Sequence, residues 1–168
     1  MTLELRSRSP EETEAIGASV GRLAEPGTVV ALHGPLAAGK TVFTKGVARG
    51  IEVPRPQYVS SPTFTLHKSY EGRLTLHHLD LYRLSEQGDL EDLGLDEALF
   101  GTGISVIEWP DLFLPEVPPD RLTVRFLLTA PEERTLLFEA CGPRSAALLS
   151  RLAEALPVKI AREDADDL

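Results

Sequence analysis

The stretch Gly34–Thr41, with the sequence GPLAAGKT, constrains the fold of this chain more than any other feature. It matches the pattern G-x-x-x-x-G-K-[ST], in which a glycine-rich loop between a β-strand and a helix surrounds phosphate groups. The apolar run Thr28–His33 before it is typical of a buried parallel strand. Residues 41–49 after it suit a helix that Gly50 would end. Because both flanks fit, a chance glycine-rich turn is the weaker alternative, and the sequence predicts a phosphate-binding strand–loop–helix unit.

The residue types in this loop explain how it would hold a nucleotide. Gly34 and Gly39 allow tight turns, so that successive backbone N–H groups and the helix N-terminus point at phosphate oxygens. The Lys40 ammonium would contact the β- and γ-phosphates, and the Thr41 hydroxyl would bind Mg²⁺. In an empty loop we expect that ammonium to be exposed. The predicted nucleotide contacts of this segment are Gly34, Leu36, Ala37, Ala38, Gly39, Lys40, Thr41 and Val42.

Length and charge limit the classes of protein to which this chain can belong. Its 168 residues suit one P-loop domain, which we place at residues 1–158. The net charge is −9, with four acidic residues in 163–167, so we predict that residues 159–168 form a disordered acidic tail. A net acidic chain is poorly suited to holding nucleic acid by itself. The single cysteine, Cys141, excludes an intrachain disulfide. No apolar run is long enough to span a membrane, and we expect a cytoplasmic protein.

The order of the predicted elements indicates an α/β fold. Ser9, Pro10 and Glu12 form a typical helix start, in which serine caps, proline takes the first turn and glutamate completes a capping box. Thr13 lies on the first turns of that helix, and pattern alone indicates a surface residue. The fold class we predict is a P-loop NTPase-like mixed β-sheet with flanking helices in a single domain. The other predicted elements are an antiparallel hairpin at 65–70 and 74–79, one or two short helices in 85–99, strands at 104–107, 121–128 and 135–140, and a helix at 145–156.

Two acidic residues at the ends of apolar strands are candidates for the acids of a phosphoryl-transfer site. Asp80 follows LTLHHL and Glu108 follows ISVI, and ligands of open α/β sheets gather at the carboxyl ends of strands. An ordinary acidic residue at a strand exit is the alternative for each. Pro110 would fix the direction of the Glu108 carboxylate, so we predict Glu108 and Thr41 as Mg²⁺ ligands. Asp80 would orient water, and the predicted catalytic residues are Lys40, Asp80 and Glu108.

Other residues of this region leave alternatives open. Ser60–Thr63 is spaced like a GTPase switch that senses a γ-phosphate, or it is a proline turn. His77 and His78 would face opposite sides of a strand and are interpreted as structural or surface residues. Trp109 is either a core residue or an aromatic beside the nucleotide or a partner. ATP is the expected nucleotide, because the guanine-recognition motif N/T-K-x-D is missing.

Four segments together resemble the bacterial TsaE family, also called YjeE. The family loop usually follows G-D-L-G-A-G-K-T, so Pro35 and Ala37 replace an acidic residue and a glycine. Both positions are variable in the general motif, and we expect altered loop detail rather than lost binding. The matching segments are Gly34–Thr41, Ser60–Phe64 (SSPTF), His78–Leu84 (HLDLYRL) and Glu108–Pro110 (EWP), and order and spacing agree from about residue 9 to residue 110.

The resemblance implies an ATPase that supports the threonylcarbamoyl modification of the adenosine beside the tRNA anticodon. It implies the TsaD and TsaB proteins as partners, with ATP bound at the TsaD interface and tRNA involved only indirectly. It also implies that Lys40 and Thr41 hold phosphate and Mg²⁺ and that Glu108 binds Mg²⁺ directly or through water. Asp80 would then be a further catalytic or metal-shell acid. Thr13 and Arg134 resemble nucleotide contacts of the family in position. Without the resemblance, Arg134 would be interpreted as a solvated residue of a hairpin.

Two other functions are compatible with the same loop. A small-molecule kinase usually has an arginine-bearing lid, and the acidic segment 85–103 contains no arginine. A nucleotide-binding regulatory subunit would bind ATP without useful turnover. Both are alternatives to an ATPase that is weak alone and stimulated by its partners.

Overall fold

The computed structural model describes residues 1–62, 64–82, 95–111 and 117–156. Its helices are interspersed among its strands along the chain, as in an α/β domain. Their order is β1 (Thr2–Ser7), α1 (Pro10–Leu23), β2 (Val29–His33), α2 (Lys40–Gly50), β3 (His67–Glu71), β4 (Thr75–Asp80), α3 (Asp96–Phe100), β5 (Ile104–Glu108), β6 (Leu122–Leu128), β7 (Arg134–Ala140) and α4 (Pro143–Ala155).

All seven described strands form one sheet in the order β1–β7–β6–β2–β5–β4–β3. Strands β6, β2, β5 and β4 are parallel neighbours, whereas the pairs β1–β7, β7–β6 and β4–β3 are antiparallel. The predicted mixed sheet with flanking helices is therefore confirmed. Because β2, β5 and β4 run in the same direction, their carboxyl ends meet at one edge, where ligands of such sheets bind.

Apolar side chains cover both faces of the sheet. On one face, Leu32, Val106 and Phe126 belong to a buried cluster that includes residues of α1, α2 and α4. On the other face, Ile107 belongs to a smaller cluster with Leu99 of α3. Strand β2 is buried along its whole length, which explains why its sequence is a continuous apolar run rather than an alternation.

Helices α1 and α2 approach each other closely through glycines spaced four residues apart on each helix. Gly17 and Gly21 lie on α1, and Gly46 and Gly50 lie on α2. A Cβ atom at any of these positions would stand 2.0–2.3 Å from a backbone carbonyl oxygen of the opposite helix. Only glycine permits this separation. The contact fixes α2, whose first turn carries Lys40 and the following threonine, against the rest of the domain.

The predicted elements that lie within the described residues agree with the structure to within two residues at their ends. Strand β1 was not predicted, although its residues alternate between buried and exposed positions. Part of the segment 85–99, in which one or two short helices were predicted, lies outside the described residues; in its described part, the structure has α3. The predicted tail 159–168 lies wholly outside the described residues. In the part of the chain that the structure describes, no helix is both long and apolar enough to cross a membrane.

Candidate functional site

The phosphate loop joins β2 to α2 at the carboxyl edge of the parallel strands. Gly39 precedes α2 with a φ of 104°, a left-handed conformation that favours glycine. Ala37 is also left-handed, with a φ of 61°, and it is the position at which the loops it resembles have glycine. For an alanine this conformation costs about 1–2 kcal/mol. The loop therefore carries strain that a glycine would relieve.

Lys40 is buried beneath the loop, so the expectation of an exposed ammonium is wrong. The residue is 5% exposed. Its Nζ donates to the carbonyl oxygen of Gly34 at 2.6 Å and lies 3.6 Å from the centre of the Trp109 ring. The carbonyl and the aromatic face replace water around the cation. Desolvation by burial lowers the pKa of Lys40, although three nearby carboxylates act to raise it.

Asp80 and Glu108 lie side by side where β4 and β5 end. They are register partners, and they are 5% and 3% exposed, so neither is an ordinary surface acid. Oε1 of Glu108 accepts a hydrogen bond of 3.5 Å from the Thr41 hydroxyl. Asp80 accepts one from the Ser61 hydroxyl at 2.7 Å and one from the Tyr82 N–H at 3.0 Å. The structure thus brings both candidate acids to the start of α2.

Thr41 and Glu108 suit Mg²⁺ by the chemistry of their donor atoms. Mg²⁺ prefers oxygen ligands and is usually held by one or two carboxylates together with substrate phosphates and water. A hydroxyl and a carboxylate oxygen 3.5 Å apart beside a phosphate loop match that donor set. The described residues contain no cluster of three or more His, Cys, Asp or Glu side chains that could hold a metal ion. A Mg²⁺ ion at this place would therefore take its remaining ligands from phosphate oxygens and water.

His78 belongs to this site, a role that the sequence interpretation missed. The side chain is fully buried, and its Nε2 lies 3.0 Å from Oε2 of Glu108. The sequence signal for this role was the spacing of His78 and Asp80, because residues two apart on a strand lie on the same face. His77 points elsewhere, as the alternation predicts, and its ring centroid lies 5.2 Å from that of His67. His78 orients the carboxylate that stands next to Thr41.

Thr13 and Arg134 border the other side of the phosphate loop. Thr13 is 2% exposed and its hydroxyl lies 2.7 Å from that of Ser7, so the pattern-based assignment to the surface is wrong. Arg134 donates from Nε to the Ala38 carbonyl at 2.9 Å and from Nη1 to carbonyls of the β6–β7 turn. Arg134 therefore stabilises the phosphate loop by hydrogen bonding and is not a solvated hairpin residue. With Val42 they line a cleft of about 300 Å³.

An adjoining cleft of about 400 Å³ contains the candidate catalytic and metal-binding residues. Trp109 is half-buried in its wall and its ring centroid lies 5.0 Å from that of Tyr82, so it is an aromatic of the cleft rather than of the core. Of the switch-like segment, Ser61 reaches this cleft, and Thr63 lies outside the described residues. Another cleft, of about 370 Å³, lies between α1 and α4 away from these residues. The lining of the 400 Å³ cleft comprises residues 36–42 with Ser61, Asp80, Tyr82, Glu108 and Trp109.

Comparison with known proteins gives consistent matches to one family. The family model described as "Threonylcarbamoyl adenosine biosynthesis protein TsaE" matches residues 7–136. A "tRNA threonylcarbamoyladenosine biosynthesis protein TsaE" of Bacillus subtilis is 42% identical over 152 residues, which cover 90% of this chain and 94% of that protein. The protein of the same description from Treponema pallidum is 45% identical over 130 residues, which cover 77% and 95%.

A solved structure extends this similarity to the fold. The crystal structure of Bacillus subtilis YdiB superposes with a TM-score of 0.77 at 36% sequence identity. The match covers 92% of this chain and 96% of that one.

Proposed function

Because this chain belongs to the TsaE family, whose role is in tRNA threonylcarbamoyladenosine biosynthesis, we propose that it is a Mg²⁺-dependent ATPase of that process. We propose further that it is weakly active alone and stimulated by the TsaD and TsaB proteins, so that hydrolysis serves turnover of the modifying complex. The observation that carries the proposal is the meeting of Thr41 and Glu108 at 3.5 Å. It would add two metal ligands to a loop that by itself supports only phosphate binding.

The proposed binding mode follows from the groups that surround the loop. The backbone N–H groups of the loop and of the first turn of α2 would bind phosphate oxygens. Lys40 would exchange its hydrogen bond to the Gly34 carbonyl for contacts with phosphate and keep its contact with the Trp109 ring, a short movement for an ammonium that is already desolvated. The nucleoside would occupy the neighbouring 300 Å³ cleft, between Thr13 and Arg134.

Glu108 and Asp80 would have different roles in hydrolysis. Thr41 and Glu108 would hold Mg²⁺, which stabilises negative charge on the transferred phosphoryl group. Asp80 would orient the attacking water, and its hydrogen bond with Ser61 connects it to the switch-like segment. A change at the γ-phosphate would then reach the β3–β4 hairpin, since Asp80 is the last residue of β4.

The surface around the cleft supports docking of a protein partner over the nucleotide. Leu36, Phe64 and Tyr82 are 65%, 83% and 52% exposed, and all three belong to the loop or to segments that lead into and out of the β3–β4 hairpin. Exposed apolar side chains at the edge of a cleft, as Leu36 and Tyr82 are, often mark interaction sites. The net charge of −9 disfavours direct binding of tRNA. The family resemblance implies TsaD and TsaB, which we propose as the partners, with tRNA reached through them.

The test is the release of inorganic phosphate from ATP with and without TsaD and TsaB. We expect a low rate for the chain alone and a clear rise with both partners. Lys40→Ala should lower the stimulated rate by about 10²-fold or more, because one positively charged donor to the reacting phosphates is lost. The matched control is Lys45→Ala, which removes a half-buried lysine of the same helix outside both clefts.

Three results would contradict the proposal. A stimulated rate in Lys40→Ala equal to that of the parent would remove the loop from catalysis. Transfer of the phosphoryl group to a small acceptor would indicate a kinase. ATP binding without phosphate release under any condition would indicate a regulatory subunit.

A further inference from the structure

Trp109 has an unfavourable backbone conformation at the centre of the site. Its φ is 59°, in the left-handed region, and Pro110 follows it directly. Residues before proline favour extended conformations, and a left-handed conformation in a residue other than glycine persists only where the surroundings impose it. The groups on either side of Trp109 must therefore hold it in place.

The turn that contains Trp109 is anchored on both sides. On the amino side, Glu108 is the last residue of β5, and its carbonyl accepts from the Leu81 N–H at 3.1 Å. On the carboxyl side, Pro110 is buried and Oδ1 of Asp111 lies 2.7 Å from Nδ1 of His33. His33 is the last residue of β2, directly before the phosphate loop. The His33–Asp111 pair thus ties the end of this turn to the start of the loop.

The charge state of His33 fits a directional hydrogen bond. Its side chain is 8% exposed, whereas that of Asp111 is 62% exposed. Desolvation by burial lowers the pKa of His33, and the nearby Arg125 and Arg121 also lower it, against the carboxylate of Asp111, which acts to raise it. The imidazole is therefore mostly neutral at pH 7, and a neutral imidazole donates to a carboxylate at this nitrogen only as the Nδ1–H tautomer.

We propose that His33 and Asp111 form a positioning pair whose hydrogen bond holds Trp109 in its left-handed conformation with its ring against the Lys40 ammonium. Without the bond, the turn can relax to the extended conformation that a residue before proline favours, and the ring leaves Lys40. The effect on nucleotide affinity rests on the proposed function, because there Lys40 is the phosphate ligand. The position of the Trp109 ring does not rest on it.

The experiment uses the intrinsic fluorescence of Trp109, which is the only tryptophan of the chain. In the nucleotide-free protein, Asp111→Ala should shift the emission maximum to longer wavelength and increase quenching by acrylamide, since the ring becomes more exposed. His33→Phe, which removes the donor at similar volume, should give the same change. Asp111→Asn retains an acceptor oxygen and should keep the parent spectrum. Calorimetric titration with Mg-ATP should show about tenfold weaker binding for Asp111→Ala, in the range of one charge-assisted hydrogen bond.

Glu139→Ala is the matched control, because it removes an exposed carboxylate on β7 and should leave the spectrum unchanged. Circular dichroism checks that each variant is folded. Parent-like emission and quenching in Asp111→Ala would overturn the proposal, and so would a shift in Asp111→Asn as large as that in Asp111→Ala. Absence of ATP binding in the parent would refute the proposed function and leave the fluorescence comparison decisive for the positioning pair.

Discussion

Gly46→Ala is expected to destabilise the domain, although alanine is the better helix former. The new Cβ would stand 2.0 Å from the Glu14 carbonyl oxygen, where ordinary contact begins at 3.4 Å. That oxygen belongs to the backbone of α1, so relief requires the two helices to separate. Overpacking of this kind costs about 1–3 kcal/mol, and we take the upper value because no flexible side chain can yield. Alanine returns about 1 kcal/mol of helix propensity, which leaves a net loss of about 2 kcal/mol.

The assay is urea denaturation, together with thermal melting, in which about 2 kcal/mol corresponds to about 4–8 °C for a domain of this size. Ala15→Gly, at an exposed position of α1, measures the propensity difference without a steric change and should cost about 1 kcal/mol. Gly17 faces the same interface from the other helix, so Gly17→Ala combined with Gly46→Ala should cost less than the sum of the two changes, because one separation relieves both contacts. A Gly46→Ala protein as stable as the parent, or more stable, would refute the argument from close approach.

The remaining predictions concern the acids, the nucleotide and a helix cap. Glu108→Gln should weaken ATP binding only when Mg²⁺ is present. Asp80→Asn should leave ATP binding unchanged and lower the partner-stimulated rate. If titrations and rate assays gave the reverse pattern, the roles of the two acids would be exchanged. Calorimetry should show tighter binding of ATP than of GTP, and the opposite order would refute adenine specificity. Burial acts to raise the pKa of Asp120, but hydrogen bonds from the N–H groups of Ser145 and Arg144 hold it below its ordinary value. The ionised Asp120 carboxylate thus caps the first turn of α4. It stabilises the fold at pH values above about 3.9, the pKa of an aspartate in the unfolded chain, and this stabilisation is lost as the pH falls through the lower pKa of the folded state. Asp120→Ala should cost about 1 kcal/mol at pH 7 and almost nothing at about pH 2 in urea titrations, and a cost that does not change with pH would contradict this.

The central strands and the phosphate loop were predictable because their signals are local. Strand β2 is a continuous apolar run, and the loop that follows it has glycines where the chain must turn. The same holds for Asp80 and Glu108, since each is the last residue of a recognisable strand. Parallel pairing of those strands then brings the acids together, so the site could be assembled from one-dimensional patterns.

Other features depend on partners far away in sequence and were missed or misjudged for that reason. Strand β1 has the alternation of a half-buried strand, with Leu3 and Leu5 inward and Glu4 and Arg6 outward, but it is only six residues long and its partner β7 lies at the other end of the chain. Thr13 stands at helical spacing from Ile16 and Val20 on the buried face of α1, but it is polar, and its burial depends on contacts with Ser7 and the phosphate loop. The burial of Lys40 could not be predicted without knowing that the Trp109 ring covers its ammonium.

The pairing of β1 with β7 has a consequence for how the chain is made. Thr2 lies opposite Glu139, and β7 also pairs with β6, so β1 acquires its partner only when β7, which follows the other described strands, has been synthesised. Domains fold as their segments emerge during synthesis, and pairings between distant segments form slowly. The phosphate loop and both acids precede β7, whereas Arg134, which stabilises that loop, arrives with it. A growing chain would therefore carry an open sheet edge beside an unstabilised loop until residue 140 is available, which makes that interval the one in which it is most exposed to edge-to-edge aggregation.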